Sequence, residues 1–178
     1  MSAPTANARR IRLLVLDVDG ILSNGLLIYG NQGEEMKTFH TEDGLGIKLL
    51  QRSGIEVAII TGRESAIVAR RASELGIERL IQGREDKLHA LRELVAELEV
   101  ELHEVAYMGD DLPDLAAIAK VGLGMTVASA NPFVKEHALW CSQRSAGRGA
   151  VREAAEFILQ AQGKLDDIRQ RYLSGEPG

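Results

Sequence analysis

The strongest constraint in the chain is an alternation. Short apolar runs of strand length are separated by longer segments with helical spacing. Ile11-Arg12-Leu13-Leu14-Val15-Leu16-Asp17 is almost continuously apolar and reads as a strand buried on both faces. Glu56 to Ile60, Arg79 to Ile81, Glu104 to Met108 and Val121 to Met125 read as further strands, and Leu139 to Cys141 as a last edge strand. Between them, Leu45 to Leu50, Glu64 to Leu75, Glu85 to Leu98, Leu112 to Ala119 and Ala150 to Gln162 carry helical spacing. Ser53-Gly54 and Gly76 are stop signals, and Asn131 with Pro132 behind it opens a short helix. This order predicts an α/β protein, a Rossmann-like parallel sheet with helices on both faces. One element breaks the pattern. Leu26 to Tyr29 and Met36 to Phe39 flank Gly30-Asn31-Gln32-Gly33, which predicts a small β-hairpin near the N-terminus, about 24–40, with a four-residue turn.

The chain has 178 residues, so a single domain over 1–178 is expected, with 163–178 as a polar tail. Its net charge of -5 argues against nucleic acid as the main partner. No apolar run approaches membrane-spanning length, and the first ten residues lack an apolar signal core, so a cytoplasmic location is expected. One cysteine, Cys141, excludes an intrachain disulfide and a cysteine metal site.

Parallel sheets bind ligands beyond the carboxyl ends of their strands, and polar residues collect there. Asp17-Val18-Asp19-Gly20 follows the first strand, Thr61-Gly62-Arg63 the second, Gly83-Arg84 the third and Gly109-Asp110-Asp111 the fourth. Asp is common in solvated turns, so either acidic cluster alone would mean little. Two clusters at strand ends bring several carboxylates together, and a hard cation such as magnesium is their natural occupant. Asp114 lies one turn into the following helix, where a loop-supporting role suits it. Thr61, the backbone near Gly62, the start of the next helix and Lys87 form a complementary set for phosphate oxygens. Magnesium, a hydroxyl, amides and a lysine around one phosphoryl group are the usual means of catalysing its transfer.

These four segments resemble, in order and spacing, the four motifs of the haloacid dehalogenase superfamily. The chain is similar to its capless subgroup through Gly33 to Phe39, Asp43-Gly44-Leu45-Gly46-Ile47, Gln82 to Lys87, Gly147 to Glu153 and Gln160 to Leu165. The resemblance implies a magnesium-dependent phosphatase for a small phosphorylated sugar acid. The expected substrate is an octulosonate 8-phosphate of the lipopolysaccharide sugar pathway. The alternatives are a nine-carbon acid 9-phosphate and a non-catalytic oligomerising module, the latter disfavoured because Asp17, Asp19 and Lys87 are all present. It implies Asp17 as nucleophile and Asp19 as general acid and base. Asp17, the backbone carbonyl of Asp19 and Asp110 would hold Mg2+. Substrate contacts would come from Asp19, His40, Thr41, Glu42, Asp43, Gly44, Lys48, Thr61, Gly62, Arg63, Arg71, Arg84 and Lys87. It further implies a homotetramer in which each hairpin reaches toward a neighbour's site. Ser23-Asn24-Gly25 departs from the expected Thr-Asp-Gly, and Ala146 from a common glycine.

Overall fold

A computed structural model describes residues 3–176, apart from the side chains of Glu34 and Glu35. The first element is a short helix, α1 (Ala3–Ala8), followed by the strand β1 (Leu13–Leu16). Every side chain of β1 is buried, as its unbroken apolar run requires. Strands β4 (Glu56–Ile60) and β6 (Val105–Met108) flank β1 in parallel, β5 (Arg79–Ile81) lies outside β4, and β7 (Leu123–Thr126) and β8 (Trp140–Cys141) continue beyond β6. The six-stranded order is β5-β4-β1-β6-β7-β8. The chain thus leaves β1 toward one edge and returns on its other side. The carboxyl end of β1 sits at the point where strand order reverses, where such sheets bind their ligands.

Side-chain alternation along the strands divides the interior into two layers. Leu14, Leu16, Val57, Ile59, Ala106 and Met108 pack on one face, against α2 (Thr41–Arg52), α3 (Ala66–Leu75), α7 (Ala150–Ala161) and α8 (Leu165–Ser174). Leu13, Val15, Ala58, Ile60, Val105 and Tyr107 pack on the other, against α4 (Lys87–Glu97), α5 (Leu112–Ile118) and α6 (Pro132–His137). Each of the Val, Leu, Ile and Met side chains among them contributes about 1.5–3 kcal/mol by leaving water.

The expected α/β architecture is therefore present, with differences at the edges. The polar tail contains α8, which turns Leu165 and Ile168 into the core and leaves its charged residues outside. A ten-residue helix with only two buried side chains gives a weak periodic signal. Helix α2 begins at Thr41 rather than Leu45, because Glu42 and Asp43 complement the positive helix end. The hairpin pairs β2 (Ile28–Gly30) with β3 (Gly33–Met36), and Gly30 stands opposite Gly33. Its loop is therefore Asn31-Gln32 alone. The two glycines close the ladder instead of forming the turn, and Phe39 leaves the hairpin to pack against the core.

Candidate active site

The first strand delivers Asp17 and Asp19 to the switch point through a tight loop. The Ile21 and Ser23 amides both donate to the Val18 carbonyl, at 3.2 and 2.9 Å. Gly20 is essential to this bend. Its φ is +96°, and a Cβ there would lie 2.0 Å from an Asp110 carboxylate oxygen. The loop can therefore press against the end of β6 and bring the two acidic clusters together.

Asp17, Asp110 and Asp114 each offer an oxygen within 4.8 Å of the others, the one such acidic group among the described residues. Burial, followed by the negative charge of Asp114, pushes the Asp17 carboxyl up to about 6 against the opposing pull of Lys87. Burial, followed by the charge of Asp17, pushes Asp110 up to about 7. Asp114 is differently placed. One oxygen accepts from the Lys87 ammonium at 2.7 Å and the Tyr107 hydroxyl at 2.8 Å. The other accepts from the Asp110 and Asp111 amides at 3.2 and 3.3 Å. Both its oxygens are engaged, and among the described residues Lys87 is the one ammonium shared by Asp17 and Asp114, so with Asp110 the cluster carries more negative charge than this lysine offsets. Hard carboxylate oxygens in this arrangement fit Mg2+.

Lys87, the first residue of α4, is only 5% exposed. Its ammonium lies 2.9 Å from Asp17 and 2.7 Å from Asp114. Burial alone would depress its pKa, but these two carboxylates more than offset that, so the net direction is upward. Asp19 points elsewhere: its carboxylate meets the Lys37 ammonium, the Ser23 hydroxyl at 3.1 Å and the Arg63 guanidinium at 3.7 Å. Arg63 also donates to the Tyr29 hydroxyl at 3.0 Å, tying the hairpin to the site.

These groups open onto a cleft of about 690 Å³ lined by Asp17, Asp19, Thr61, Gly62, Arg63 and Lys87, with Asp110, Asp111 and Asp114 opposite. That size suits a small ligand. The other expected substrate contacts lie outside this lining. Asp43 is buried, and its oxygens accept from the Gly149 and Arg152 amides at the start of α7. Glu42 pairs with Arg144 at 2.7 Å, and the Lys48 ammonium donates to the Glu74 carbonyl at 3.3 Å. Arg71 lies over Gly44 and 5.8 Å from the Phe39 ring centre. His40 has a buried Nδ1 with no hydrogen-bond partner among the described residues, and Thr41 begins α2 beside it. Arg84 is held by Asp86 and Glu93 at the surface.

Three residues at the site were given no role in it from the sequence. Ser23 and Lys37 had no local signal pointing to Asp19, since both reach it through the loop and hairpin geometry. Tyr107 did carry one: it is the only residue of β6 with a polar side-chain group.

Residues 80–154 match the haloacid dehalogenase-like hydrolase family. The chain is 49% identical over 168 residues to the 3-deoxy-D-manno-octulosonate 8-phosphate phosphatase KdsC of Escherichia coli, covering 94% of this chain and 89% of that one. Among solved structures, a probable YrbI family phosphatase from Pseudomonas syringae superposes with a TM-score of 0.94 at 53% identity, covering 96% of this chain and 97% of that one. The 3-deoxy-D-manno-octulosonate 8-phosphate phosphatase of Moraxella catarrhalis, solved with magnesium, phosphate and KDO, superposes with a TM-score of 0.94 at 46% identity, covering 97% and 99%.

Proposed function

The chain belongs to the 3-deoxy-D-manno-octulosonate 8-phosphate phosphatase family of haloacid dehalogenase-like hydrolases, and we propose that it hydrolyses that ester to the free sugar acid and inorganic phosphate. The observation that carries this reading is Asp17. It stands at the switch point, 2.9 Å from a buried lysine and beside a second carboxylate, Asp110, whose pKa burial and the charge of Asp17 raise.

In this mechanism an Asp17 carboxylate oxygen attacks phosphorus as the bond to the sugar oxygen breaks, leaving an aspartyl-phosphate. Asp19 gives its proton to the departing sugar oxygen, then takes a proton from the water that attacks the aspartyl-phosphate. That second displacement breaks the bond to Asp17 and releases phosphate. Lys87, the Thr61 hydroxyl and the amides around Gly62 hold the phosphoryl oxygens. Asp17, the Asp19 carbonyl and Asp110 hold Mg2+, while Asp114 aligns Lys87 and the Asp110 loop. When bound, the ion offsets the negative charge of the carboxylates and the phosphoryl group.

Arg63, at the mouth of the cleft, is assigned to the sugar-acid carboxylate. The hairpin exposes Leu26, Leu27, Ile28, Tyr29 and Met36 next to this open cleft. Such an apolar patch suits a protein contact, and a homotetramer in which neighbours cover one another's sites follows from this reading. His40 to Gly44, Lys48, Arg71 and Arg84 act on the substrate only in so far as that assembly brings them to a cleft. A cytoplasmic location belongs to the same reading.

The test is phosphate release with magnesium from a panel of esters: the octulosonate 8-phosphate, nine-carbon acid 9-phosphates and hexose phosphates. A large preference for the first, lost at least about a thousandfold in Asp17→Asn, is expected. Equal, feeble rates on all esters would overturn the substrate assignment.

A further inference from the structure

We propose that Ser23 is a positioning residue that keeps Asp19 aimed through both halves of the reaction, and that the Gly147 loop holds it there. The inference rests on the phosphatase reading above and adds to it a residue outside the four motifs.

Among the described residues, three side chains meet the Asp19 carboxylate: Ser23, Lys37 and Arg63. Lys37 reaches Asp19 from the hairpin, and Arg63 from the loop after β4. Ser23 belongs to the same tight loop as Asp19, four residues on, so its short side chain fixes the carboxylate relative to the backbone that carries it. Ser23 is fully buried, its hydroxyl lies 3.1 Å from Asp19, and its amide is fastened to the Val18 carbonyl at 2.9 Å.

The support behind Ser23 comes from a distant part of the chain. The Gly147 amide donates to the Ile21 carbonyl at 3.0 Å. A Cβ at residue 147 would lie 2.9 Å from the Ser23 carbonyl carbon and 2.8 Å from the Asn24 amide, and the φ there is +61°. Glycine therefore lets this loop press directly on the Ser23 backbone. The loop is itself anchored: Asp43 accepts from the Gly149 amide, and Glu153 accepts from the Ser142 hydroxyl and the Gln143 amide.

Protonation of the leaving group matters for an alkyl ester and much less for p-nitrophenyl phosphate, whose phenolate leaves without help. The ratio kcat/KM covers steps through the first phosphoryl transfer, so the later work of Asp19 as a base does not enter it. In Ser23→Ala, kcat/KM for the octulosonate ester should fall about tenfold or more, as loss of a hydrogen bond to a charged group predicts. The value for p-nitrophenyl phosphate should fall only about twofold to threefold. Ser23→Thr should restore the octulosonate value, and Gly147→Ala should reproduce the split in weaker form. If Ser23→Ala does not fold, the isosteric pair Ser23→Thr and Ser23→Val asks the same question, with the split expected in the valine variant alone. Equal losses on both esters, or no loss on either, overturn the role of Ser23. Wild-type protein inactive on both overturns the phosphatase reading itself, which separates the two failures.

Discussion

Replacing Asp110 by asparagine should stabilise the protein when magnesium is withheld, and increasingly so as pH rises. In the folded chain, burial and the charge of Asp17 push Asp110 from 3.8 up to about 7. The unfolded chain loses that proton near the ordinary carboxyl value, so between these two pH values the folded state binds the extra proton. Stability contributed by a group with a raised carboxyl pKa declines as pH rises through that window. The full shift corresponds to roughly 4 kcal/mol at about 1.36 kcal/mol per pH unit. Relaxation and the open cleft reduce this to about 2 kcal/mol. Asparagine removes the ionisation and also relieves Asp17, which shares the same crowding. For a chain of this length, about 2 kcal/mol is a rise in Tm of roughly 4–8 °C. The assay is thermal unfolding followed by circular dichroism in EDTA, wild type against Asp110→Asn, from pH 4.5 to 8.5. The difference should be smallest at the acidic end, about a quarter of its full size at pH 4.5, and reach its plateau just above pH 7. Saturating magnesium should then reverse the order, since a ligand at a hundred times its Kd adds about 2.7 kcal/mol to the form that binds it. A difference that does not change with pH, or a less stable asparagine variant in EDTA, would refute the account of the crowded carboxylates.

Two further substitutions test the surroundings. Lys87→Met leaves Asp17 and Asp114 without their shared cation, so it should cost about 3–5 kcal/mol in metal-free unfolding and lower kcat/KM by at least about a hundredfold. An unchanged Tm would show that the buried ammonium is not what offsets these carboxylates. Asp43→Ala removes the acceptor for the first amides of α7 and should cost about 1–2 kcal/mol in stability. A rise in KM with no loss of stability would instead return Asp43 to the substrate.

The sheet and its site were legible because both follow from periodicity. Apolar runs such as Leu13 to Leu16 admit one reading, and the acidic pairs stand where a parallel sheet presents its strand ends. Boundaries were less legible. Thr41 to Gly44 became the first turn of α2 through charges that complement the helix end, which apolar spacing does not register. Helix α8 went unseen because two buried residues, Leu165 and Ile168, are too few to mark a face. Side-chain partnerships were the least legible. Lys37 reaches Asp19 only because the hairpin folds back, and Asp43 serves α7 across more than a hundred residues of chain. Contacts of that kind depend on tertiary geometry and leave no trace in local spacing.

The position of β1 in the sheet also bears on how the chain is made. Its two partners come late: Leu13 pairs with Glu56 on one side and with Val105 on the other. During synthesis the apolar segment Leu13 to Leu16 leaves the ribosome long before either neighbour exists, and its second edge stays bare until β6 has emerged. Distant pairings of this type slow folding and leave strand edges open to other chains. The segment that carries the nucleophile is therefore also the one most in need of protection in a nascent chain, and no cleft can form until well over half of the protein has been synthesised.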